Sequence, residues 1–141
     1  MDREYMKLAY EQAEKSACSR KKVGVVFVKD DKVIGQGYNN VTGGIKDCRE
    51  VGCIRDILHI PSGERREICR AICAEQIAIT EAARNGVETD GAIAYITSHP
   101  CFICSKMLVS AGILEIVYFE DYPDEMAKSF LKDAGVKIRK I

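Results

Sequence analysis

The fold is decided by residues 92–119, which read AIAYITSHPCFICSKMLVSAGILEIVYF. The apolar runs at 92–97 and 114–119, rich in β-branched and aromatic residues, are typical of buried strands. The segment between them, from about 101 to 111, is long enough for a helix, and Gly112 is a typical residue to end one. Two strands joined by a single helix form a β-α-β unit with parallel strands. This stretch therefore predicts an α/β protein.

The alternation of helix and strand continues on both sides of this unit. Helices are predicted at 2–17, 73–85 and 124–134, and strands at 23–28, 32–38 and 136–141, the first two strands forming a β-hairpin across the polar turn KDDK. Strands separated by single helices predict parallel neighbours with helices packed on the sheet. We therefore expect one domain over residues 1–141, with a three-layer α/β/α fold and a five-stranded mixed sheet.

Residues 39–70 show no clean periodicity. This stretch is rich in glycine and charge, and it holds three cysteines. A structureless loop of that length inside a compact domain is uncommon unless it is functional or held together by something else. We refer to residues 39–70 below as the long cysteine-bearing loop.

The composition argues against several classes of function. The chain has 141 residues, with 21 Lys and Arg against 21 Asp and Glu. Zero net charge is not typical of a protein that binds long DNA or RNA. A small ligand with one phosphate group remains compatible with it, because one phosphate needs only a local cluster of hydrogen-bond donors. The apolar runs, such as VVFV at 25–28, are far shorter than the ~20 residues that span a bilayer. The first ten residues carry both charges and no apolar core, unlike a signal peptide. We expect a soluble, cytoplasmic protein.

The cysteine count is informative. Seven cysteines stand at positions 18, 48, 53, 69, 73, 101 and 104, and the two histidines are His59 and His99. An odd count cannot pair fully into disulfides, and a chain without an export signal resides in a reducing compartment. Thiolate metal ligation or thiol chemistry is therefore favoured over a disulfide framework.

Three of these cysteines open predicted helices. Cys73 begins the helix at 73–85, and the run Pro-Cys-Phe-Ile-Cys places Cys101 and Cys104 at the start of the next one. Helix N-termini favour negative charge and lower thiol pKa values. Three protein ligands with an open fourth position are typical of catalytic zinc. Glu75 can then lie beside the metal-bound water as a proton shuttle, as in the recognised signature of zinc nucleobase deaminases. A structural zinc site and a thiol redox centre are the alternatives.

Over nearly its full length, the chain resembles the deoxycytidylate (dCMP) deaminases of the cytidine deaminase-like superfamily. The resemblance lies in the segments CSRKKVGVVFV (18–28), VIGQGYNNVTGG (33–44), CREVGC (48–53), IPSGERREICRAICAEQIAI (60–79), TSHPCFICSKMLVSAGI (97–113) and the closing VYFEDYPDE and FLKDAGVKI. The long cysteine-bearing loop is more diagnostic than the zinc motif, because small nucleoside-level cytidine deaminases lack it.

The resemblance implies hydrolytic deamination of dCMP to dUMP and ammonia. It implies that Cys73, Cys101 and Cys104 hold a zinc ion, which lowers the pKa of its bound water. It also implies that Glu75 takes a proton from that water, delivers it to N3 of cytosine and protonates the departing amine. The ligand is then a small-molecule pyrimidine nucleotide, not a nucleic acid polymer or a membrane, and relatives of this kind commonly form homo-oligomers.

Five residues are implied as substrate contacts. Asn39 of the GYN segment is expected to bind the sugar hydroxyl. The backbone N–H of Ala74 is expected to hold the base carbonyl, and the backbone carbonyl of His99 to accept from the amine. Tyr122 is a candidate for a pocket wall, with packing at a strand end as the alternative. Arg20 is a candidate for the phosphate, with a solvated charge as the alternative.

The chain departs from the family pattern at the first zinc ligand. Most dCMP deaminases have histidine where this chain has Cys73, and three thiolates with Zn²⁺ sum to −1, against zero for one neutral histidine and two thiolates. We expect the two helix N-termini, and a hydrogen bond from Arg70 to a zinc thiolate, to offset the charge; a solvated Arg70 is the alternative.

Two other positions also depart from the family pattern. Asn40 replaces the glycine of members regulated by dCTP and dTTP, which puts that control in doubt. Ile77 replaces a common asparagine behind the catalytic helix.

A second zinc would explain how the long cysteine-bearing loop stays ordered. Some family members carry a structural zinc that ties this loop to the hairpin side, and four cysteines remain here for it. Cys48, Cys53 and Cys69 are the expected ligands within or at the end of the loop. The fourth is Cys18 or His59, and we favour Cys18, because the resembling segment often begins with cysteine. Ordinary buried thiols are the alternative.

Other classes of function remain open from the sequence. The three-cysteine ligand set also fits a nucleoside cytidine or deoxycytidine deaminase. A deaminase acting on tRNA or other polynucleotides is disfavoured by the balanced charge. A non-catalytic binding module stabilised by zinc would have no need of Glu75 beside an open metal position.

Overall fold

The computed structural model of the chain describes residues 1–141. The helices are α1 (Asp2–Ala13), α2 (Cys48–Val51), α3 (Ile54–Ile57), α4 (Ala74–Arg84), α5 (Phe102–Ser110) and α6 (Glu125–Asp133), with a 3₁₀ turn at Arg66–Ile68. The strands are β1 (Gly24–Lys29), β2 (Lys32–Tyr38), β3 (Ile93–Ser98), β4 (Glu115–Glu120) and β5 (Lys137–Lys140). No helix is long and apolar enough to cross a membrane.

One five-stranded sheet in the order β2-β1-β3-β4-β5 forms the middle layer. Strand β1 pairs antiparallel with both β2 and β3, with Val26 opposite Tyr95 in the second pairing. Strands β3, β4 and β5 are parallel neighbours. The predicted mixed sheet and α/β fold class are confirmed. The helix between β2 and β3 does not join neighbouring strands, because β1 lies between them.

The core lies on the two faces of the sheet. On one face, Val25, Phe27 and Ile96 pack with Ala78 of α4, Leu108 of α5 and Leu131 of α6. On the other face, Met6 and Ala9 of α1 pack against Val26, Val28, Tyr95 and Val117. Alternate residues of β1 thus point to opposite sides, as the period of two in a strand requires.

The first helix is shorter than the sequence predicts, ending at Ala13 and not at residue 17. Ser16, which is buried, donates its hydroxyl to the carbonyl oxygen of Asn39 at 3.0 Å and accepts from the N–H of Cys18 at 3.2 Å. These side-chain bonds compete with continuation of the helix. They also connect the end of α1 to the start of the long cysteine-bearing loop.

The long cysteine-bearing loop contains local structure that periodicity did not detect. Helices α2 and α3 have four residues each, and the 3₁₀ turn has three, which is too short for an amphipathic pattern. Asp47 caps α2 in a capping box with Glu50. The loop also pairs with the chain just before α4, since the N–H of Ile72 donates to Asn40 at 2.9 Å.

Candidate active site and metal centre

The candidate site lies where two helices begin. Cys73 is the N-cap of α4 and Cys101 the N-cap of α5, whereas Cys104 is the third residue of α5 and is fully buried. Ser98 and His99, at the carboxyl end of β3, line the same cavity. This end of parallel strands is the usual place for ligand sites in open α/β sheets.

A close approach of α4 to β2 sets the position of the first of these helix ends. A Cβ atom added to Gly37 would lie 2.7 Å from the carbonyl oxygen of Ala74 and 2.9 Å from the backbone nitrogen of Ala78. Only glycine allows the two backbones to come so near. The N-terminus of α4, with Cys73 before it and Glu75 in its first turn, is therefore held against the sheet.

Three thiol groups converge between the helix ends. The sulfur atoms of Cys73, Cys101 and Cys104 all lie within 4.8 Å of one another. A tetrahedral zinc with Zn–S bonds of about 2.3 Å places its sulfurs about 3.8 Å apart. The donor type, the number of donors and their spacing therefore fit zinc with one position left open. The predicted ligand triad is brought together as expected.

The thiols of this triad titrate as a group. Hydrogen bonds from Cys104 and Cys73 hold the pKa of Cys101 well below its usual range, because they stabilise its thiolate. The same hydrogen bonds, with burial, raise the pKa of Cys104. A cation in their midst would stabilise the thiolates and favour the loss of the thiol protons.

Glu75 is buried beside the triad. It is 4% exposed and lies in the first turn of α4. Burial, and after it the negative charge on Cys101, raise its pKa to about 7. A carboxyl group whose pKa lies near neutrality can both accept and donate a proton under ordinary conditions. The position and the proton affinity of Glu75 therefore suit a proton carrier.

The guanidinium near the triad belongs to Arg66, not to Arg70. Arg66 donates from Nη2 to the sulfur of Cys73 at 3.6 Å. Arg70 is exposed and donates from Nη1 to the carbonyl oxygen of Lys46 at 2.6 Å. The hypothesis that Arg70 binds a zinc thiolate is therefore wrong. The side chain of Arg70 is drawn to the loop backbone, whereas the 3₁₀ turn brings Arg66 over the triad.

Two further residues support the site without a signal in the sequence. Asp124 caps α6 through the N–H of Ala127 at 3.0 Å and also accepts from the N–H of Phe102 at 2.9 Å, directly after Cys101. Gln76 accepts from the N–H of Cys73 at 2.8 Å. An aspartate before a helix and a glutamine within one are ordinary in any sequence, so only the tertiary structure reveals these contacts.

A cavity of about 210 Å³ opens next to the triad. All five residues predicted as substrate contacts line it, namely Arg20, Asn39, Ala74, His99 and Tyr122. Five basic residues line it as well: Arg20, Lys21, Arg55, Arg66 and Arg70. The acidic lining residues are Asp47 and Glu75. The cavity lining therefore has more basic than acidic side chains, although the whole chain has no net charge.

Two of the predicted contact residues already have partners within the protein. Asn39 accepts from the N–H of Val23 at 2.9 Å and donates to the carbonyl oxygen of Lys21 at 2.8 Å. Arg20 donates to Asp56 and to the carbonyl oxygen of Ile60, at 2.8 and 2.7 Å. These bonds hold both side chains at the cavity wall, and their predicted roles toward a substrate stay predictions.

The other predicted contacts lie closer to the triad. The N–H of Ala74 belongs to the first turn of α4, where helix N–H groups have no partner within the helix. His99 is buried and its ring contacts the carbonyl oxygen of Pro100. Tyr122 accepts from Arg66 at 3.3 Å. Their predicted roles toward a substrate likewise stay predictions.

The remaining cysteines also lie at the cavity. Cys18, Cys48, Cys53 and Cys69 all line it. Burial raises the pKa of Cys48, and the other three thiols raise it further, so all four are neighbours. Only the first triad, however, has its sulfurs within 4.8 Å of one another. His59 is exposed and is not among the lining residues.

The fold and the site together define a class of protein. A mixed sheet between helices, with three thiols at two helix N-termini and a buried carboxyl group beside them, is a zinc-binding α/β/α domain. The chain belongs to the family described as cytidine and deoxycytidylate deaminase zinc-binding region, whose model matches residues 1–120.

Relatives and solved structures agree with this assignment. The chain is 36% identical over 139 residues to the deoxycytidylate deaminase of Schizosaccharomyces pombe, covering 98% of this chain and 43% of that protein. It is 35% identical over 122 residues to the deoxycytidylate deaminase of Mycobacterium phage D29, covering 83% and 92%. A crystal structure of dCMP deaminase from the cyanophage S-TIM5 in complex with dCMP and dUMP matches with a TM-score of 0.80 and 27% identity, covering 99% and 95%. The chain thus spans less than half of the yeast relative and most of the phage proteins.

Proposed function

We propose that this protein is a zinc-dependent dCMP deaminase, which converts dCMP and water to dUMP and ammonia. The observation that carries the proposal is the buried carboxyl group of Glu75 beside the triad of Cys73, Cys101 and Cys104. The relatives named above support dCMP as the substrate, since the phage D29 protein matches over 92% of its own length.

The zinc ion would be held by the three thiolates, with the fourth position open to water. When bound, zinc supplies Lewis acidity that makes its water a nucleophile near neutral pH. Glu75 accepts the proton that this water loses and delivers it to N3 of the cytosine ring. The water oxygen would add to C4 as a hydroxyl group. Glu75 would then take the remaining proton of that hydroxyl and pass it to the amino group, which leaves as ammonia while the C4 carbonyl of dUMP forms.

The base is oriented by backbone groups around the triad. We expect the N–H of Ala74, which has no partner within α4, to donate to the base carbonyl. We expect the backbone carbonyl of His99 to accept from the amino group. Asn39, which lines the cavity, is our candidate for the contact with the sugar hydroxyl, and Tyr122 is our candidate for the wall of the base pocket. Because backbone groups at a helix end and after a strand are rigid, they fix the base without a cost in side-chain entropy.

The basic side of the cavity favours a nucleotide over a nucleoside. Five basic residues line it, and Arg20 is held in place by Asp56 and the carbonyl oxygen of Ile60. A phosphate group is recognised best by guanidinium groups that are already oriented. Arg20 is therefore our candidate for a phosphate contact.

The experiment that tests the proposal is a product analysis. Purified protein with zinc is incubated with dCMP, and we expect dUMP and ammonia in equal amounts. Removal of the metal with a chelator should abolish the reaction, and added zinc should restore it. The absence of dUMP from the zinc-loaded protein would contradict the proposal.

A second, structural zinc held by Cys18, Cys48, Cys53 and Cys69 is part of the proposal. Arg55 supports it, because this arginine is only 7% exposed and donates from Nη1 to the sulfur of Cys69 at 3.6 Å. A buried positive charge needs an anionic partner, and none of the ion pairs within the chain includes Arg55. Thiolates at this end of the cavity would provide that partner, and a metal ion would keep them deprotonated.

Metal counting tests the second site. We expect two zinc ions per chain in purified protein, and one in Cys48→Ser. Cys73→Ser serves as the matched variant, because it should also lose one zinc, but together with the activity. A single zinc per chain in the wild-type protein would rule the second site out.

Assembly and location are also proposals. We expect a homo-oligomer that acts in the cytoplasm on a small-molecule nucleotide, with neither a nucleic acid polymer nor a membrane as partner. The zero net charge supports the expectation that no nucleic acid polymer is a partner.

A further inference from the structure

The triad poses a problem of charge. Three thiolates carry three negative charges, and one zinc ion offsets two of them. The net charge of −1 makes such a centre a weaker Lewis acid than one with a neutral histidine. The dipoles of α4 and α5 each place partial positive charge near the sulfurs, because Cys73 and Cys101 are their N-caps. A full positive charge is still required for balance.

Arg66 brings that charge to one particular sulfur. Its Nη2 donates to Cys73 at 3.6 Å, and its Nη1 donates to the hydroxyl of Tyr122 at 3.3 Å. The carbon at the centre of the guanidinium lies 5.5 Å from the centre of the Tyr122 ring. Both ends of the guanidinium are thus engaged, which fixes its orientation toward Cys73.

No carboxylate is paired with Arg66. None of the ion pairs within the chain includes it, although most arginines in this region have such a partner or a backbone carbonyl. A partly buried arginine without a carboxylate is costly unless another anion is close. Here the anion is the triad.

We propose that Arg66, oriented by Tyr122, is the positioning residue that compensates the third thiolate of the zinc centre through its hydrogen bond to Cys73. This inference rests on the proposed zinc site, and it assigns to Arg66 a role toward the metal ligand and not toward the substrate. Removal of the guanidinium should raise the energy of the sulfur lone pairs of Cys73 and weaken the centre as a Lewis acid.

Cobalt substitution tests this without any turnover. Co²⁺ in a thiolate site has a sulfur-to-metal charge-transfer band, whose energy falls when the sulfur loses a hydrogen bond. In Arg66→Met we expect this band to move to longer wavelength. Arg65→Met is the matched control, because Arg65 is adjacent in the sequence but is exposed and pairs with Glu67. The charge-transfer band of this variant should coincide with that of the wild type. Arg66→Lys keeps the charge and should give an intermediate shift, and it replaces the Met variant if that variant does not fold.

Kinetics separate this role from a contact with phosphate. If Arg66 acts through Cys73, kcat in Arg66→Met should fall about 10–100-fold, by the same factor for dCMP and for deoxycytidine, with KM little changed. An unmoved charge-transfer band would overturn the inference. So would a rise in KM for dCMP that deoxycytidine does not share, because Arg66 would then be a phosphate ligand. A protein that deaminates neither compound but shows the shifted band would contradict the proposed function and leave this inference standing.

Discussion

Glu75 carries the chemical part of the account at the scale of single residues. Its carboxyl group is 4% exposed, and burial raises its pKa to about 7. The helix N-terminus on which it lies would favour its charged form, so the burial is the stronger influence. A carboxyl group whose pKa lies near 7 is suited to pass protons from water to the ring and to the leaving amine.

Replacing Glu75 by glutamine should remove the proton transfer and keep the shape of the site. We expect kcat for dCMP to fall by about 10²–10⁴, the range that positioned acid–base groups supply. The zinc content should be unchanged, since Glu75 is not among the converging metal donors. Steady-state kinetics and metal analysis of the same preparation check both points.

Glu81→Gln is the matched control for this variant. Glu81 lies on the same helix, α4, but is exposed, so its activity should equal that of the wild type. Full activity in Glu75→Gln would contradict the role of Glu75, and an equal loss in both variants would indicate damage to the helix.

Sequence reasoning predicted the cluster of Cys73, Cys101 and Cys104 that the structure shows, but it chose the wrong arginine beside them. The cluster could be predicted because helix starts, spacing and residue type all agree at the three cysteines. Arg66 is seven residues before Cys73 and reaches it through a 3₁₀ turn that begins after Arg65, a residue in the left-handed region at φ 53°. No periodic pattern encodes such a turn, so proximity along the chain favoured Arg70 instead.

At the scale of elements, the site depends on how closely α4 lies on β2. Gly37 is buried under the first turn of α4, and a methyl group there would meet the backbone of Ala74 and Ala78 at 2.7 and 2.9 Å. Backbone atoms cannot turn aside as a side chain can, so the helix end itself would have to move.

Gly37→Ala should therefore displace the first turn of α4 and the residues it carries. We expect a loss of stability of about 1–3 kcal/mol, typical of overpacking, together with a loss of activity. Urea unfolding and kinetics measure the two effects.

Gly35→Ala, two residues away on the same face of β2, is the control. Its added methyl would meet the side chain of Phe27 at 3.2 Å and no backbone of α4, so it should retain activity. Comparable activity in both variants would show that the close approach does not set the position of the site.

Most elements could be predicted, and the exceptions have physical causes. The apolar runs predicted strands β3 and β4, and the segment before Gly112 predicted helix α5. Helix α1 stops four residues early, because Ser16 bonds to the carbonyl oxygen of Asn39 in a contact across 23 residues of sequence. The short helices of the long cysteine-bearing loop are fixed by capping and tertiary contacts, which leave no periodic trace.

At the scale of the whole molecule, the two ends of the chain are tied together. Asp2, at the start of α1, binds Arg139 of β5 at 2.8 Å and accepts from the hydroxyl of Tyr95 at 2.7 Å. Arg139 also pairs with Glu115 of β4 at 3.0 Å. The hydrogen bond from Arg139, and then that from Tyr95, lower the pKa of Asp2 to about 2.

Asp2→Asn should therefore reduce stability in a pH-dependent way. A lowered pKa means that the stabilisation is complete above the ordinary value of 3.8 and is lost as the pH falls through about 2. Because Asp2 is 36% exposed, we expect a loss of only about 1 kcal/mol at neutral pH. Urea unfolding of both proteins between pH 7 and pH 3 should show the difference begin to shrink below pH 4.

Glu4→Gln is the control for the helix dipole, because Glu4 also lies in the first turn of α1 but is exposed. Glu4→Gln should lower the free energy of unfolding by less than Asp2→Asn does. A difference between Asp2→Asn and the wild type that grows as the pH is lowered would contradict the network.

At the scale of the whole molecule, the proposed substrate carries both a cytosine base and a phosphate, and the basic residues that line the cavity support the phosphate. The three-cysteine centre is the one feature that instead favours a nucleoside substrate. The ratio of kcat/KM for dCMP to that for deoxycytidine, followed by the loss of cytosine absorbance with Glu75→Ala as the blank, tests this most directly. We predict that dCMP is turned over far more efficiently. Faster turnover of deoxycytidine would contradict a nucleotide deaminase and identify a nucleoside enzyme in its place.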